Sequence, residues 1–292
     1  MKIATAAYNM DFLPDWSAYA TKLDTWVSEA AGQGADLLVF PEYGAMELAT
    51  LAGREVAMDL QASIRAVSER IPEVDALHSQ LARRYGVHIL SASAPVEIAG
   101  GPVVNRTRFF GPEGGVVTLD KQIMTRFERE DWGIKGGDGL KVFDTVLGRI
   151  GVLICYDSEY PLLGRALAEA QLLLVPSCTE ALAGYWRVRI GAMARALENQ
   201  CVVAMSSTVG DCDWSEAVDT NCGAGGVFGP PDKGFPSTGV IAEGILDQPG
   251  WTYADVDLAK VDAVRADGVV LNRLHWDDQS GRDAPAPLTE LK

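Results

Sequence analysis

Three reactive side chains stand directly after apolar segments of strand length. Glu42, Lys121 and Cys155 each occupy such a position, in that order along the chain. In layered α/β proteins, ligands bind at the edge where the carboxyl ends of the strands meet. A single charged residue at such an edge often only faces the solvent. Three reactive types at three strand ends are harder to explain in that way, and they indicate a reactive site.

Cys155 is the candidate nucleophile of this site. It lies between the apolar segment 150–154 and the segment 156–161, after which a helix is expected to begin. The N-terminus of a helix favours a thiolate and presents backbone N–H groups to an oxyanion. The common alternative for a cysteine in a strand is a place in the core, and only its partners decide between the two.

Other familiar catalytic and metal-binding patterns are missing from the sequence. A G-x-S-x-G motif, typical of serine hydrolases, does not occur. His78, His88 and His275 match no Cys/His signature and lack the spacing of metal ligands. The five cysteines include no CxxC pair, and their odd number predicts free thiols in a reducing cytoplasm. We therefore expect no metal site.

The composition is that of an acidic globular protein. Hydrophobic residues make up 48% and charged residues 22% of the chain, too apolar for a long disordered protein. With 25 Lys and Arg against 40 Asp and Glu, the net charge of −15 argues against nucleic acids and anionic membranes as partners. No apolar run approaches the roughly 20 residues of a membrane span, and no signal peptide is recognisable at the N-terminus. These features predict a cytoplasmic protein.

The elements that would position the reactive residues alternate between apolar strands and amphipathic helices. This alternation indicates a layered α/β fold, and adjacent strands without a helix between them indicate a mixed sheet. We expect the long helix 60–85 to break at Pro72 and the Gly- and Pro-rich segment 211–239 to loop over the surface. One domain over 1–276 and a polar tail over 277–292 are expected. The predicted strands are 2–8, 36–40, 87–91, 103–110, 116–119, 149–154, 172–175, 201–207 and 251–256, and the predicted helices are 16–31, 60–85, 161–170 and 184–200.

The motifs resemble those of the nitrilase, or carbon–nitrogen hydrolase, superfamily. The matching segments, in chain order, are Phe40-Pro-Glu42, Asp120-Lys121 and Ile154-Cys155-Tyr-Asp157, supported by Pro176-Ser177 and Arg195-Ala-Leu-Glu-Asn199. The resemblance covers nearly the whole chain, and segments 125–133 and 155–159 are most similar to the Rim1-like branch. It implies a four-layer αββα sandwich.

The resemblance also implies a catalytic triad with a role for each member. Glu42 would be the general base, and Cys155 would attack an amide carbonyl. Lys121 and the backbone N–H of Tyr156 would stabilise the tetrahedral oxyanion. The reactants would be a small amide or carbamoyl compound and water, without a cofactor. The alternatives are nitrile hydrolysis, acyl transfer to an amine by the same triad, or a scaffold that keeps the fold without turnover.

Further site residues follow from the same resemblance. The family has a second glutamate a short way after the lysine, and its usual spacing favours Glu128 over Glu130. Glu159 stands where many amidases of the superfamily carry arginine, so the site should disfavour a carboxylate substrate and tolerate a cation. Substrate contacts are expected from residues near the motifs: Tyr43, Glu130, Trp132, Glu159, Cys178, Thr179, Glu180 and Trp186.

The family commonly forms dimers, and the resemblance therefore implies a homodimer or a larger even oligomer. The helices 161–170 and 184–200 are expected to form the interface. The second of these helices carries more apolar residues than one buried face requires, namely Val188, Ile190, Met193 and Leu197.

Overall fold

The computed structural model describes residues 1–291, in which fourteen strands and eight α-helices are formed. The strands are β1 (Lys2–Asn9), β2 (Leu37–Val39), β3 (His88–Leu90), β4 (Ala94–Glu97), β5 (Val103–Phe110), β6 (Val116–Asp120), β7 (Val142–Thr145), β8 (Gly148–Val152), β9 (Leu172–Ser177), β10 (Val202–Asp211), β11 (Thr220–Asn221), β12 (Gly226–Phe228), β13 (Val240–Glu243) and β14 (Gly250–Asp255). The helices are α1 (Trp16–Gly32), α2 (Glu47–Thr50), α3 (Arg54–Met58), α4 (Leu60–Tyr85), α5 (Arg126–Glu130), α6 (Pro161–Ala166), α7 (Leu182–Asn199) and α8 (Ala259–Asp267).

Six parallel strands form the centre of the sheet structure, in the order β3-β2-β1-β10-β9-β8. Antiparallel strands extend it on both sides. β5 pairs with β3, β4 and β6, whereas β7 pairs with β8. β14 pairs with β1, and β12 pairs with β10. The sheet is therefore mixed, as the sequence predicts, and the carboxyl ends of the parallel strands share one edge.

Alternating side chains of β1 and β2 pack into two different cores. Ala4, Ala6 and Leu38 pack with apolar residues of α1 and α4. Ile3 and Leu37, on the opposite face, pack with the strands β8, β9 and β10 and with α7. Because neighbouring residues of a strand point to opposite faces, this division shows that the sheet curls back on itself, so that β8, β9 and β10 form a second sheet layer behind the first. The result is the four-layer αββα sandwich, which confirms the predicted fold class.

The break predicted at Pro72 is wrong, because α4 continues from Leu60 to Tyr85 with the proline inside it. Proline removes one backbone hydrogen bond, which usually bends or ends a helix. Here Ile71 and Val74 are buried on either side of the proline. Their packing belongs to an apolar face that runs along the whole helix and holds it continuous.

The prediction of a surface loop over 211–239 is also wrong. This segment contains β11 and β12, and Trp214, Ala224, Val227 and Phe228 within it are almost fully buried. Strand pairing of β12 with β10 draws the segment into the sandwich. Its glycines allow the close approach, since a Cβ at Gly225 would lie 2.6 Å from the Thr5 hydroxyl oxygen. A Gly-rich composition therefore marks tight packing here.

The C-terminal part is less integrated. A 3-10 turn, Leu274–Gln279, crosses the predicted domain boundary after residue 276. Residues 280–291 are exposed and lie outside helices and strands, and Lys292, the last residue of the predicted tail, lies outside the described residues. Among the helices of residues 1–291, none combines the length and the apolar character needed to cross a membrane.

Candidate active site

The predicted reactive residues come from different strand ends and meet below one cavity. Glu42 follows β2, Lys121 follows β6, and Cys155 opens a 3-10 turn, Cys155–Glu159, after β8. The ends of β2 and β8 lie at the same edge because both belong to the parallel centre of the sheet. β6 lies outside the parallel centre and pairs antiparallel with β5, and Lys121 follows its last residue. The sheet topology thus explains how three positions far apart in sequence become neighbours.

A buried lysine is held between two carboxylates. The Lys121 Nζ donates to Glu42 Oε1 at 2.7 Å and to the two oxygens of Glu128 at 2.8 and 2.7 Å. All three side chains are 3% exposed or less, so water screens these charges little. Glu128 is fixed by the Tyr43 hydroxyl at 2.6 Å and by the Thr125 backbone N–H at 2.7 Å. These contacts leave Lys121 little freedom to move.

The Glu42 carboxylate receives donors on both oxygens. Its Oε1 accepts from the Asn105 side-chain amide at 2.9 Å as well as from Lys121. Its Oε2 accepts from the Cys178 backbone N–H at 3.1 Å. The Cys155 Sγ lies 3.7 Å from the Cys178 carbonyl oxygen, so the thiol and the carboxylate contact the same residue. The thiol and the carboxylate are therefore neighbours, and the charge of Glu42 acts on the thiol.

The protonation states follow from burial and neighbouring charge. Burial raises the pKa of Glu42 to about 7, although Lys121 acts in the opposite direction. Burial also raises the pKa of the Cys155 thiol well above its usual range, with Glu42 adding to the rise. Burial alone would lower the pKa of Lys121, but Glu42 and Glu128 outweigh it and hold that pKa well above its usual range. Burial would raise the pKa of Glu128, and Lys121 lowers it instead. At neutral pH the site thus holds a charged lysine and a neutral thiol, beside a carboxyl whose pKa is raised toward neutrality.

Backbone strain is concentrated at this site. Among residues 1–291, four residues other than glycine have a left-handed φ, and two of them are Tyr43 at 54° and Cys155 at 50°. Such conformations cost on the order of 1–3 kcal/mol each and persist only where the surroundings impose them. At Cys155 the turn is held by the Ser158 hydroxyl, which donates to the Cys155 carbonyl at 2.7 Å.

Asp157 links the cysteine turn to the lysine loop. Its buried carboxylate accepts backbone N–H groups from Ile123 at 2.8 Å, Gln122 at 3.1 Å and Ile154 at 3.3 Å. Burial raises the pKa of Asp157 to about 6, while these backbone donors lower it. The carboxylate therefore fixes the distance between the residue after Lys121 and the residue before Cys155.

The cavity above these residues has a volume of about 640 Å³. Glu42, Lys121, Glu128, Cys155 and Tyr156 line it. Most of the predicted substrate contacts line it as well: Tyr43, Trp132, Glu159, Cys178, Thr179 and Glu180. A second cavity of about 530 Å³ lies against Pro161 and Trp276, and its lining includes none of the predicted site residues.

Two predicted contacts are wrong. Glu130 points to the solvent and pairs with Arg126 at 2.7 Å, with its side chain 56% exposed. Trp186 is 48% exposed on α7 and does not line the cavity. In both cases a neighbour on the same helix faces inward instead, namely Glu128 on α5 and Val188 on α7. The rotation of each helix about its axis determines which of its residues face the cavity, and a short sequence motif does not encode that rotation.

Several residues of the site and of the cavity lining were not identified from the sequence. Asn105 contacts Glu42 from the middle of β5, and Arg187 lies 3.7 Å from Glu159 at the outer part of the cavity. A polar residue within the largely apolar predicted strand 103–110 was a signal for Asn105. The segment before β11 also contributes Glu216, Ala217 and Asp219, and β11 itself contributes Thr220. In the described part of the chain, no group of three His, Cys, Asp or Glu residues is arranged to hold a metal ion.

The fold is that of the nitrilase superfamily. The family model for carbon-nitrogen hydrolase matches residues 2–266, so the chain belongs to the carbon–nitrogen hydrolase family. The chain is 32% identical over 273 residues to the probable hydrolase YhcX of Bacillus subtilis, covering 92% of this chain and 52% of that protein. It thus spans about half the length of that relative. It is 28% identical over 256 residues to the omega-amidase NIT2 of Danio rerio, with 84% of each chain covered. Both relatives are named as hydrolytic enzymes, the second as an omega-amidase.

Solved structures show the same fold. A carbon-nitrogen hydrolase from Helicobacter pylori matches with a TM-score of 0.74 at 19% identity, covering 91% of this chain and 92% of that chain. A mutant amidase from Nesterenkonia sp., in which acrylamide has added to the active-site cysteine, matches with a TM-score of 0.68 at 22% identity. That match covers 95% of this chain and 99% of the amidase.

Proposed function

We propose that this protein hydrolyses the C–N bond of a small amide or carbamoyl compound, with Cys155 as nucleophile and Glu42 and Lys121 as its catalytic partners. One observation carries the proposal. A lysine fixed between two buried carboxylates lies beside a strained cysteine at the base of a cavity. The cysteine has a base within reach, and the lysine provides a positive charge where an oxyanion would form.

The first half of the reaction forms a thioester. The Cys155 proton passes to Glu42 Oε2 while sulfur bonds to the amide carbon, and the carbonyl electron pair moves to oxygen. Lys121 and the Tyr156 backbone N–H stabilise this oxyanion. Tyr156 lies in the first turn of a 3-10 helix, where backbone N–H groups lack acceptors within the helix. The oxyanion then collapses, the C–N bond breaks, and Glu42 gives its proton to the departing nitrogen.

The second half consumes water. Glu42, ionised again, takes a proton from water while the hydroxide attacks the thioester carbon. The new oxyanion occupies the same position beside Lys121. Its collapse breaks the C–S bond, the Glu42 proton returns to sulfur, and the carboxylic acid leaves. A base whose pKa lies near 7 suits this cycle, because it must both accept and donate a proton at neutral pH.

Glu128 acts in this proposal by positioning Lys121. It binds the ammonium with both oxygens and keeps it charged, and the Thr125 capping box and the Tyr43 hydroxyl hold Glu128 in turn. The Nesterenkonia amidase, whose active-site cysteine reacted with acrylamide, supports a cysteine nucleophile in this fold.

The charges of the outer cavity favour a neutral or cationic substrate over an anionic one. Glu159 pairs with Arg187, and Arg126 pairs with Glu130, so both arginines of the cavity lining already have a carboxylate partner. Further carboxylates line the same region: Glu180, Glu216 and Asp219. A carboxylate at the far end of the substrate would face these groups. This distinguishes the expected substrate from one that ends in a carboxylate.

We also propose a homodimer in a reducing cytoplasm. Leu162 on α6 and Ile190 and Leu197 on α7 are at least 40% exposed, whereas Val188 of the predicted interface is buried in the protomer. All five cysteines are unpaired, as a reducing compartment requires. Light scattering at micromolar concentration should show particles of about twice 31.3 kDa; particles of monomer mass alone would contradict the dimer.

A panel of amides, carbamoyl compounds and nitriles, measured by ammonia release, tests the proposal. We expect turnover of a primary amide or carbamoyl compound and loss of that turnover in Cys155→Ala. Turnover of nitriles alone would favour nitrile hydrolysis. Turnover that needs an added amine acceptor, with formation of its amide, would favour acyl transfer. Full activity of Cys155→Ala would overturn the assignment.

A further inference from the structure

Asn105 makes an unusual contact with the carboxylate at the centre of the site. It lies in β5 with no exposed surface, and its side-chain Nδ2 donates to Glu42 Oε1 at 2.9 Å. Its backbone carbonyl accepts from the Lys121 backbone N–H at 2.9 Å. One residue thus contacts two members of the site.

The other half of the amide is unsatisfied. Asn105 Oδ1 is buried and has no hydrogen-bond partner among residues 1–291. A buried acceptor without a partner is costly, and an apolar side chain of similar shape would avoid that cost. Packing alone therefore does not account for an asparagine at this position, whereas its bond to Glu42 does.

The donors on Glu42 are distributed unequally between its two oxygens. Oε1 accepts from Asn105 and from Lys121, which occupies both of its lone pairs. Oε2 accepts only from the Cys178 backbone N–H among the bonds of the described chain, which leaves one lone pair. The thiol proton of Cys155 therefore has one open place on this carboxylate, and it lies on Oε2.

We propose that Asn105 is a positioning residue that reserves Oε2 of Glu42 for the Cys155 proton and lowers the proton affinity of this carboxylate. The inference rests on the proposed function, in which Glu42 is the general base. A donor that binds the ionised carboxylate favours its charged form. Without Asn105, Oε1 gains an open lone pair, the carboxylate can be protonated on either oxygen, and it holds its proton more tightly.

Other groups also act on Glu42, and each of them is titratable, whereas Asn105 is not. Lys121 after β6 lowers the pKa of Glu42, and Glu128 on α5 raises it. The thiol of Cys155 after β8, that of Cys178 after β9, and the Tyr43 hydroxyl also face this carboxylate. Because Asn105 is neutral, its replacement by an apolar residue changes one hydrogen bond without changing the charge of the site.

Alkylation of Cys155 by iodoacetamide tests the inference without a known substrate. The rate is measured from pH 5 to pH 9 by mass spectrometry of the Cys155 peptide. In the unmodified protein we expect the rate to rise through an inflection near pH 7, as Glu42 ionises. Asn105→Leu should move this inflection upward by about one pH unit, so that the rate at pH 6 falls about tenfold and the rate at pH 9 changes little.

A matched control separates this effect from a general loss of order. Asn199 on α7 is also a buried asparagine whose Oδ1 lacks a partner in the described chain, and it lies in a different part of the fold. Asn199→Leu should leave the inflection unchanged. Asn105→Ala, which removes the donor without adding bulk, should shift it as Asn105→Leu does and replaces that variant if it does not fold.

The outcomes are distinct from those of the proposed function. An unchanged inflection in the Asn105 variants, or an equal slowing at every pH, would overturn the role of Asn105 and leave Glu42 as the base. If Glu42→Gln keeps the inflection of the unmodified protein, the base assignment itself fails, and the inference about Asn105 fails with it.

Discussion

Within residues 1–291, two lysines lie in largely buried clusters with carboxylates, and one of these two clusters lies at the cavity. In the first, Lys121 is held by Glu42 and Glu128. In the second, Lys22 of α1 pairs with the fully buried Glu47 of α2. Burial raises the pKa of Glu47 just as it raises that of Glu42. A buried ion pair with a shifted pKa is therefore not enough to identify a catalytic site.

The difference lies in what surrounds each carboxylate. Glu47 accepts from the Tyr8 hydroxyl at 2.8 Å and from the Asp11 backbone N–H at 2.5 Å, and Lys22 also pairs with the Asp11 side chain at 2.6 Å. These bonds tie β1, α1 and α2 together. Glu42 instead lies beside a thiol on a strained turn and lines a cavity of about 640 Å³. A nucleophile and space for a substrate turn the first cluster into a candidate for chemistry, whereas the second one stabilises the fold.

The largest expected effect concerns the nucleophile. Cys155→Ala should reduce turnover by on the order of 10⁴-fold or more, because the covalent intermediate cannot form. Cys222→Ala removes a thiol away from the cavity lining and serves as the control, with turnover close to that of the unmodified protein. Ammonia release from an active amide measures both. A comparable loss in both variants would contradict the special role of Cys155.

The second prediction compares the same substitution, glutamate to glutamine, in the two clusters. Glu42→Gln should reduce turnover about 10³-fold by removing the general base. Glu47→Gln should leave the turnover of folded protein unchanged but destabilise the fold by about 3 kcal/mol, since it breaks a buried pair. Steady-state kinetics measure the turnover of the two variants, and thermal unfolding measures their stability. Equal kinetic losses in both would remove the distinction between the clusters.

The first cluster should also make stability depend on pH. The pKa of Glu42 is about 7 in the folded protein, against about 4.3 in an unfolded chain. Between these values the folded state binds more protons, so its stability falls as the pH rises through the window. Glu42→Gln should lose this contribution and gain stability relative to the unmodified protein at pH 8, but not at pH 4. Melting curves of the variant and of the unmodified protein at pH 4 and pH 8 test this. If Glu42→Gln gained the same stability at both pH values, the raised pKa of Glu42 would be contradicted.

The lysine position depends on Glu128 in this account. Glu128→Gln keeps the shape but removes the charge that fixes Lys121, and we expect turnover to fall about 10²-fold. Glu130→Gln, two residues away on the same helix, changes a solvent-exposed pair and should have little effect. The ratio of kcat values for the two variants is the measurement. A larger loss in the Glu130 variant would reverse the assignment.

The smallest expected effect concerns substrate charge. Three primary amides of equal length, ending in a carboxylate, a methyl group or an ammonium, are compared by kcat/KM. We expect the carboxylate homologue to be the poorest substrate. Glu159→Gln frees Arg187 and should improve that homologue relative to the others by about tenfold. A preference for the carboxylate in the unmodified protein would contradict the proposed substrate class.

The sequence predicts the strand ends well because the signals there are local. Apolar runs that stop at Glu42, Lys121 and Cys155 define where each side chain emerges, and the order of strands brings them to one edge. Contacts that depend on helix rotation were not predictable. Trp186 was expected at the cavity, but α7 turns it outward, and the outcome depends on packing against the second sheet.

Partners across the fold were also hidden from the sequence. Asn105 is visible as a polar residue within a strand, but its bond to Glu42 joins positions 63 residues apart. The choice between Glu128 and Glu130 came from family spacing. In the structure, the Thr125 capping box and the Tyr43 hydroxyl determine which of the two faces Lys121.

The most direct test of the account is the identity of the acylated residue. Protein is quenched in acid during turnover of an active amide, digested, and its peptides are analysed by mass spectrometry. We expect the acyl mass on the Cys155 peptide, its removal by hydroxylamine, and its absence in Cys155→Ala. Turnover with the acyl group on a different residue, or undiminished turnover in Cys155→Ala, would contradict the thioester mechanism.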